Sequence, residues 1–187
     1  IVDKDFVQPK AIHEPADWNP KRELITYLEA LFDSTDRVSY VTETWEKDGR
    51  HMPKKGASDR TAGELIAALH RCTDISDVIG TVNEEAGAWI RFNPMDGKDV
   101  RNDNVTAFNY ALVESDSQDI EKQYALMQEL QLPIAMLVHS GGKSLHAIVR
   151  VDAVSIEEYR SRVDYLYTVC RKNGLEIDGQ NKNPSRL

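Results

Sequence analysis

Apolar positions along the chain switch between two periods, and the switches mark its elements. Leu24, Tyr27, Leu28, Leu31 and Phe32 recur at helical spacing, with Asn19 placed to cap and Pro20 at the first helical position, which predicts a first helix. Val38–Trp45 alternates and is rich in β-branched and aromatic residues, which predicts a strand. Lys47–Asp59 is polar and contains Gly49, Pro53 and Gly56, the composition of an exposed loop. Thr61–Cys72 reads as a helix with Leu65, Ala68, Leu69 and Cys72 on one face, and Asp74–Gly80 as a short second one. Ala88–Phe92 reads as a short strand, followed by a loop over Asn93–Asn104 built on Asn-Pro and Asp-Gly.

The second half is patterned more sharply. Val105–Glu114 predicts a strand, and Ser117–Gln131 a helix with Ile120, Tyr124, Met127 and Leu130 inward, stopped by Pro133. Ile134–His139 and Lys143–Val151 predict two strands around a Ser140-Gly141-Gly142 turn. Ser155 and Glu158 have capping-box spacing at the start of a helix whose inward face is Tyr159, Val163, Leu166 and Cys170, with Gly174 at its C-cap. Leu175–Asp178 reads as a short last strand.

The fold class expected is α/β in the α+β sense. A ferredoxin-like βαββαβ half over residues 88–187 is preceded by an N-terminal αβ module over 1–87. Right-handed crossovers would make the first two strands of that half parallel, with the third inserted between them and the fourth beside the first. The end of Val105–Glu114 and the starts of Lys143–Val151 and Leu175–Asp178 would then share one end of the sheet.

Composition narrows the function classes. Hydrophobic residues make up 41% and charged residues 29% of the 187, which excludes general disorder. No apolar run approaches the roughly 20 residues of a membrane span, so no membrane partner is expected. Cys72 and Cys170 form no CxxC pair, which argues against a cysteine-rich zinc site and for a reducing, cytoplasmic setting. The net charge of −8 excludes a nonspecific DNA coat. Local basic stretches remain: Lys47, Arg50, Lys54, Lys55 and Arg60 in one, and Arg160, Arg162, Arg171, Lys172, Lys182 and Arg186 in the other. Such patches on an acidic chain suit an enzyme that handles polyanions briefly, and suit solvated surface as well.

The residues that suggest chemistry are carboxylates and a histidine. Glu114 and Asp116 close the first strand of the second half two positions apart, and two neighbouring carboxylates repel unless a cation lies between them. Oxygen ligands at this spacing suit Mg²⁺ or Mn²⁺. Ser144 and His146 share one strand face after a Gly-Gly turn, and a hydroxyl, an imidazole and free backbone N–H groups can hold phosphate oxygens. Gly142-Lys143-Ser144 is not a P-loop: the position that needs the first glycine is Leu137, and a strand pattern follows the serine instead of a helix. The predicted topology brings Asp178 beside Glu114 and Asp116.

Taken together, Glu114-x-Asp116, Ser144-x-His146 and Ile177-Asp178 resemble the D-x-D/E, s-x-H and h-D motifs of the archaeo-eukaryotic primase superfamily. The likeness is closest to the primase-polymerase domains of plasmids, prophages and other mobile elements. The stretches "NPMDG", "ALVESD", "SGGKSLHAIV" and "NPSR" are also similar to that group, and the likeness covers residues 88–187. Glu at the first acid position replaces the commoner Asp and keeps the ligand. The resemblance implies nucleotidyl transfer onto a nucleic-acid 3′ end with two Mg²⁺ or Mn²⁺ ions, held by Glu114, Asp116 and Asp178 as the catalytic set. It implies that Lys143, Ser144, His146 and Arg186 bind the incoming dNTP or NTP. Single-stranded DNA template and a primer strand are the implied partners, and a fused or associated helicase would lie outside this chain. Arg91, Lys54 and Lys55 are the candidates for contact with the DNA backbone.

Two other readings share such a sheet. A rolling-circle replication endonuclease needs a histidine pair around one hydrophobic residue and a nucleophilic tyrosine on a helix. Tyr165 and Tyr167 are available, but His139 and His146 straddle a turn. A non-catalytic RNA-recognition module needs exposed aromatics on its central strands, and Lys143–Val151 contains none.

Overall fold

The computed structural model describes residues 2–3, 5–141, 145–179 and 181–187. Two nucleotide-site candidates, Lys143 and Ser144, therefore lie outside the described residues, as does Gly142 of the expected turn. The chain is mixed α+β and gathers into two compact units: Ile1–Ala16 with Phe108–Arg186, and Asp17–Ala107 with Leu187. The sequence reading divides the chain after residue 87 instead. Strand pairing takes residues 89–90 into the earlier unit. The N-terminal segment joins the later one because Lys10 N–H donates to the Glu121 carbonyl at 3.2 Å and Val2 N–H to Asn173 Oδ1 at 2.5 Å.

In the Asp17–Ala107 unit, α1 (Pro20–Leu31) starts where expected. Asn19 accepts from Arg22 N–H, Pro20 follows the cap, and Leu28 and Leu31 are buried. The strand expected over Val38–Trp45 is divided, with Tyr40–Val41 in β1 and Thr44–Lys47 in β2. The loop expected over Lys47–Asp59 is corrected in part. Arg50–Pro53 forms β3 and pairs with β2 as an antiparallel hairpin. Asp48 and Gly49 make its two-residue turn with φ of 52° and 73°, the positive pair that matches the twist of the flanking strands. Gly56 is required by close approach: Tyr40 and Ala57 exchange backbone hydrogen bonds, and a Cβ on Gly56 would stand 2.3 Å from the Tyr40 carbonyl oxygen. α2 (Ala62–Arg71) opens on a complete capping box between Thr61 and Glu64, and buries Leu65 and Leu69. α3 (Ser76–Ile79) is a single turn, and β4 (Trp89–Ile90) pairs antiparallel with β1.

The other unit is built on β5 (Phe108–Val113), α4 (Ile120–Glu129), β6 (Ile134–His139), β7 (Leu145–Ala153) and α5 (Ile156–Lys172). Its sheet has the order β5-β7-β6, with β7 antiparallel to both neighbours, so the third strand is central and the first two are parallel. One face carries the core. Ala111, Val113, Leu145, Ala147 and Val149 from the strands meet Leu126 and Met127 of α4 and Tyr159, Val163, Tyr167 and Cys170 of α5. The alternation along β5 fails at one place. Register slips between Phe108 and Tyr110, opposite Asp152 with φ 45°, and Phe108 turns toward the core to meet the Tyr159 ring at 5.8 Å.

The expected fourth strand at Leu175–Asp178 does not form among the described residues. Its backbone groups are taken up elsewhere. Leu175 N–H closes the end of α5 on the Cys170 carbonyl at 3.0 Å. The Gln118 side chain donates to the Gly174 carbonyl at 2.8 Å and accepts from Glu176 N–H at 2.9 Å. A side chain thus does the work of a strand neighbour. Asp178 N–H then donates to the Glu114 carbonyl at 3.1 Å, so the segment still runs beside the end of β5.

Candidate functional site at one end of the sheet

β5 stops at Val113, so Glu114, Ser115 and Asp116 lie in the connection to α4 and the strand alternation does not govern them. Glu114 and Ser115 are buried and Asp116 is exposed. The register Leu112↔Ile148, Val113↔Ala147 continues one step to set Glu114 opposite His146. His146 Nε2 lies 2.8 Å from Glu114 Oε2. Asn181, 1% exposed, bridges two of the three acids: its Nδ2 donates to Glu114 Oε1 and, at 3.3 Å, to Asp178 Oδ2. Its Oδ1 is buried with no hydrogen-bond partner among the described residues.

These contacts set the charge state of Glu114. Burial alone pushes its carboxyl up. The hydrogen bond and charge of His146, the charge of Arg186 and the Asn181 amide outweigh burial and hold it below the usual carboxylate value. Asp116 and Asp178 line a groove of about 500 Å³ together with Ser117, Arg171, Glu176 and Ile177. Glu114 does not line it, but joins it through Asn181 and the Asp178 backbone. Among the described residues no group of three His, Cys, Asp or Glu side chains is drawn together tightly enough to hold an ion.

Three further residues hold this end of the sheet, and the sequence reading singled out none of them for it. Gln123, fully buried, donates to the carbonyls of Ser115 at 3.0 Å and Gln118 at 2.7 Å, and accepts from Leu145 N–H at 3.4 Å. It thereby fixes the end of β5 against the start of β7. Gln118 fixes the Gly174–Glu176 segment. Tyr167 donates its hydroxyl to the Leu112 carbonyl at 2.7 Å, and burial, followed by the charges of Glu114 and Asp178, pushes its phenol up. Arg171 stands 5.8 Å from the Tyr167 ring centre and Lys182 stands 5.7 Å from it. The signal for Gln123 was a polar residue inside an apolar helix pattern, a place that only a satisfied side chain can occupy.

The remaining candidates are scattered. Arg186 is exposed and contributes to the field at Glu114. Arg91 is 6% exposed, donates to Ser39 Oγ at 2.9 Å, and is depressed to about 10 by burial. That is an interior position and not the open surface a DNA backbone needs. Lys54 and Lys55 are exposed but already face acids, Glu43 at 3.2 Å and Asp99 at 4.0 Å. Compared with known proteins, the chain matches no family model, no curated protein and no solved structure.

Proposed function

We propose that the chain performs template-directed nucleotidyl transfer on single-stranded DNA, as a primase, a polymerase or both, in the manner of the archaeo-eukaryotic primases it resembles. The observation that carries the reading is the meeting of its three motif segments. Asp178 N–H bonds the Glu114 carbonyl, and His146 bonds the Glu114 side chain, all at one end of the β5-β7-β6 sheet. The ferredoxin-like description belongs to the same proposal, with the Asp178 segment standing where a fourth strand would run.

Mg²⁺ or Mn²⁺ suits the chemistry of the acids present, which among the described residues are not drawn together around one point. Glu114, Asp116 and Asp178 offer only oxygen, and the buried Asn181 Oδ1 is an oxygen acceptor without a donor among the described residues. Such ions, when bound, would activate a 3′ hydroxyl and neutralise the departing pyrophosphate. The protein's own contribution is positional. Contacts with His146 and Asn181 and the charge of Arg186 favour the carboxylate form of Glu114 in a buried place. His146, on the edge of that place, is poised to donate to a phosphate oxygen, and Arg171 and Arg186 add positive charge nearby.

The other readings fare worse on this arrangement. His139 and His146 are out of register on β6 and β7, paired to Leu145 and Val138, and His139 faces Glu14 at 3.3 Å. The sheet lacks a stacking platform: the Arg150 guanidinium covers the ring of Tyr110, and β7 has no aromatic. Extension of an end-labelled primer on a single-stranded template, with Mn²⁺ or Mg²⁺ and with chelator, tests the proposal. Metal-dependent, template-directed incorporation that Asp116→Ala abolishes is the expected result. Strand cleavage with a tyrosine-linked product, or binding without any incorporation, overturns it.

A further inference from the structure

The β2–β3 hairpin carries a surface that the chemistry above does not use. Directly opposed residues of an antiparallel pair point to the same face. The register Trp45↔Met52 and Lys47↔Arg50 therefore puts these four side chains on one face, and Thr44, Glu46, His51 and Pro53 on the other. Trp45 is 48% exposed and Met52 38%, and both Lys47 and Arg50 are exposed. Neither cation has an ion-pair partner among the described residues, unlike Lys54 and Lys55 just beyond the hairpin. The opposite face differs: it holds Glu46, and His51 Nε2 meets Glu85 at 3.5 Å.

We propose that the Trp45–Lys47–Arg50–Met52 face binds single-stranded nucleic acid. A base stacks on the Trp45 indole beside the polarisable Met52 thioether, and its flanking phosphates meet Lys47 and Arg50. Lys47 is two residues from Trp45 along β2, about 7 Å. Every base offers a π-face, so stacking on an indole is tolerant of sequence, and unpaired cations beside it supply the phosphate attraction. On a chain of net charge −8, attraction for a polyanion has to come from a local group of cations such as this. The two-residue Asp48-Gly49 turn pre-forms the hairpin, so little ordering is needed when the strand arrives. Duplex bases are stacked on one another, and an indole on a strand cannot reach their faces.

This surface belongs to the Asp17–Ala107 unit and does not depend on nucleotidyl transfer. The test is therefore run on the full chain in chelator, where the Glu114 site is silent. Anisotropy of labelled dT and rU oligomers is titrated across salt, with a duplex of the same length as competitor. Trp45→Ala should raise Kd roughly 5- to 150-fold, and Trp45→Phe should retain most of the affinity. Lys47→Ala with Arg50→Ala should weaken binding and reduce the salt slope by about 1.4. Circular dichroism establishes that each variant is folded. The dT and rU arms decide which strand is preferred, and a preference for either supports the proposal. It is overturned by unchanged affinity in folded Trp45→Ala, including the case where only the charge variants lose binding. Duplex competing as well as single strand overturns it, as does the absence of binding at low salt.

Discussion

His146 Nε2 stands 2.8 Å from Glu114 Oε2, and this contact joins two of the three motif segments around one buried carboxylate. Its pH dependence has a definite sign. Glu114 titrates below its ordinary value of 4.5 in the folded protein, because His146, Arg186 and Asn181 together outweigh the burial that would raise it. A lowered folded pKa contributes stability that is present above the unfolded value and is lost as pH falls through the folded one. In chelator, the melting temperature of Glu114→Gln should fall below wild type at neutral pH, and the gap should close as pH drops from about 5 toward 3. A gap that ignores pH would show that the carboxylate charge plays no part in stability.

Two tyrosines of α5 should respond oppositely to loss of the hydroxyl. Tyr167 donates to the buried Leu112 carbonyl, whereas the Tyr159 hydroxyl is buried without a partner among the described residues. Tyr167→Phe should cost about 1–2 kcal/mol, and Tyr159→Phe should be neutral or stabilise by about 1 kcal/mol. Urea unfolding of the two variants side by side checks this, and equal losses would contradict the assignment of their partners.

Gln123 holds three backbone groups in the interior, and Gln123→Leu keeps its bulk while stranding them. The expected cost is roughly 2–4 kcal/mol. The loss should be accompanied by faster amide exchange at Leu145 and in the Ser115–Gln118 connection. Hydrogen exchange followed by mass spectrometry reads this directly, and global destabilisation with no local change at those amides would argue that Gln123 acts only through packing.

If His146 holds the incoming triphosphate, His146→Ala should lower kcat/KM for nucleotide roughly ten- to hundred-fold, the loss expected for one charge-assisted hydrogen bond. Affinity for single-stranded template should scarcely change. Steady-state kinetics and oligonucleotide binding on the same preparation separate this from a packing role, which would lower the melting temperature and leave the kinetic constants of the folded fraction intact.

Much of this architecture was written in local pattern. α1, α2 and α5 begin at Asn19, Thr61 and Ser155 because each offers a side-chain oxygen to a free helix N–H, a choice made within four residues. The central place of β7 follows from the handedness of crossovers and from the order of elements. Asp48-Gly49 was also a local signal, a hairpin turn between alternating residues, obscured by the polar composition around it. What tertiary structure alone decided were partnerships between distant residues. Gln118 takes the Gly174 carbonyl and the Glu176 N–H, groups at the start of the segment that a sheet neighbour would have paired, and Leu175–Asp178 forms no strand. Arg91 reads as a surface cation in sequence, yet its surroundings bury it against Ser39. The motif spacing named Glu114, Asp116, His146 and Asp178. Only the folded chain turned Glu114 inward to His146 and Asn181 and left Asp116 at the groove, because burial and hydrogen bonding depend on which segments meet, and no local pattern encodes that.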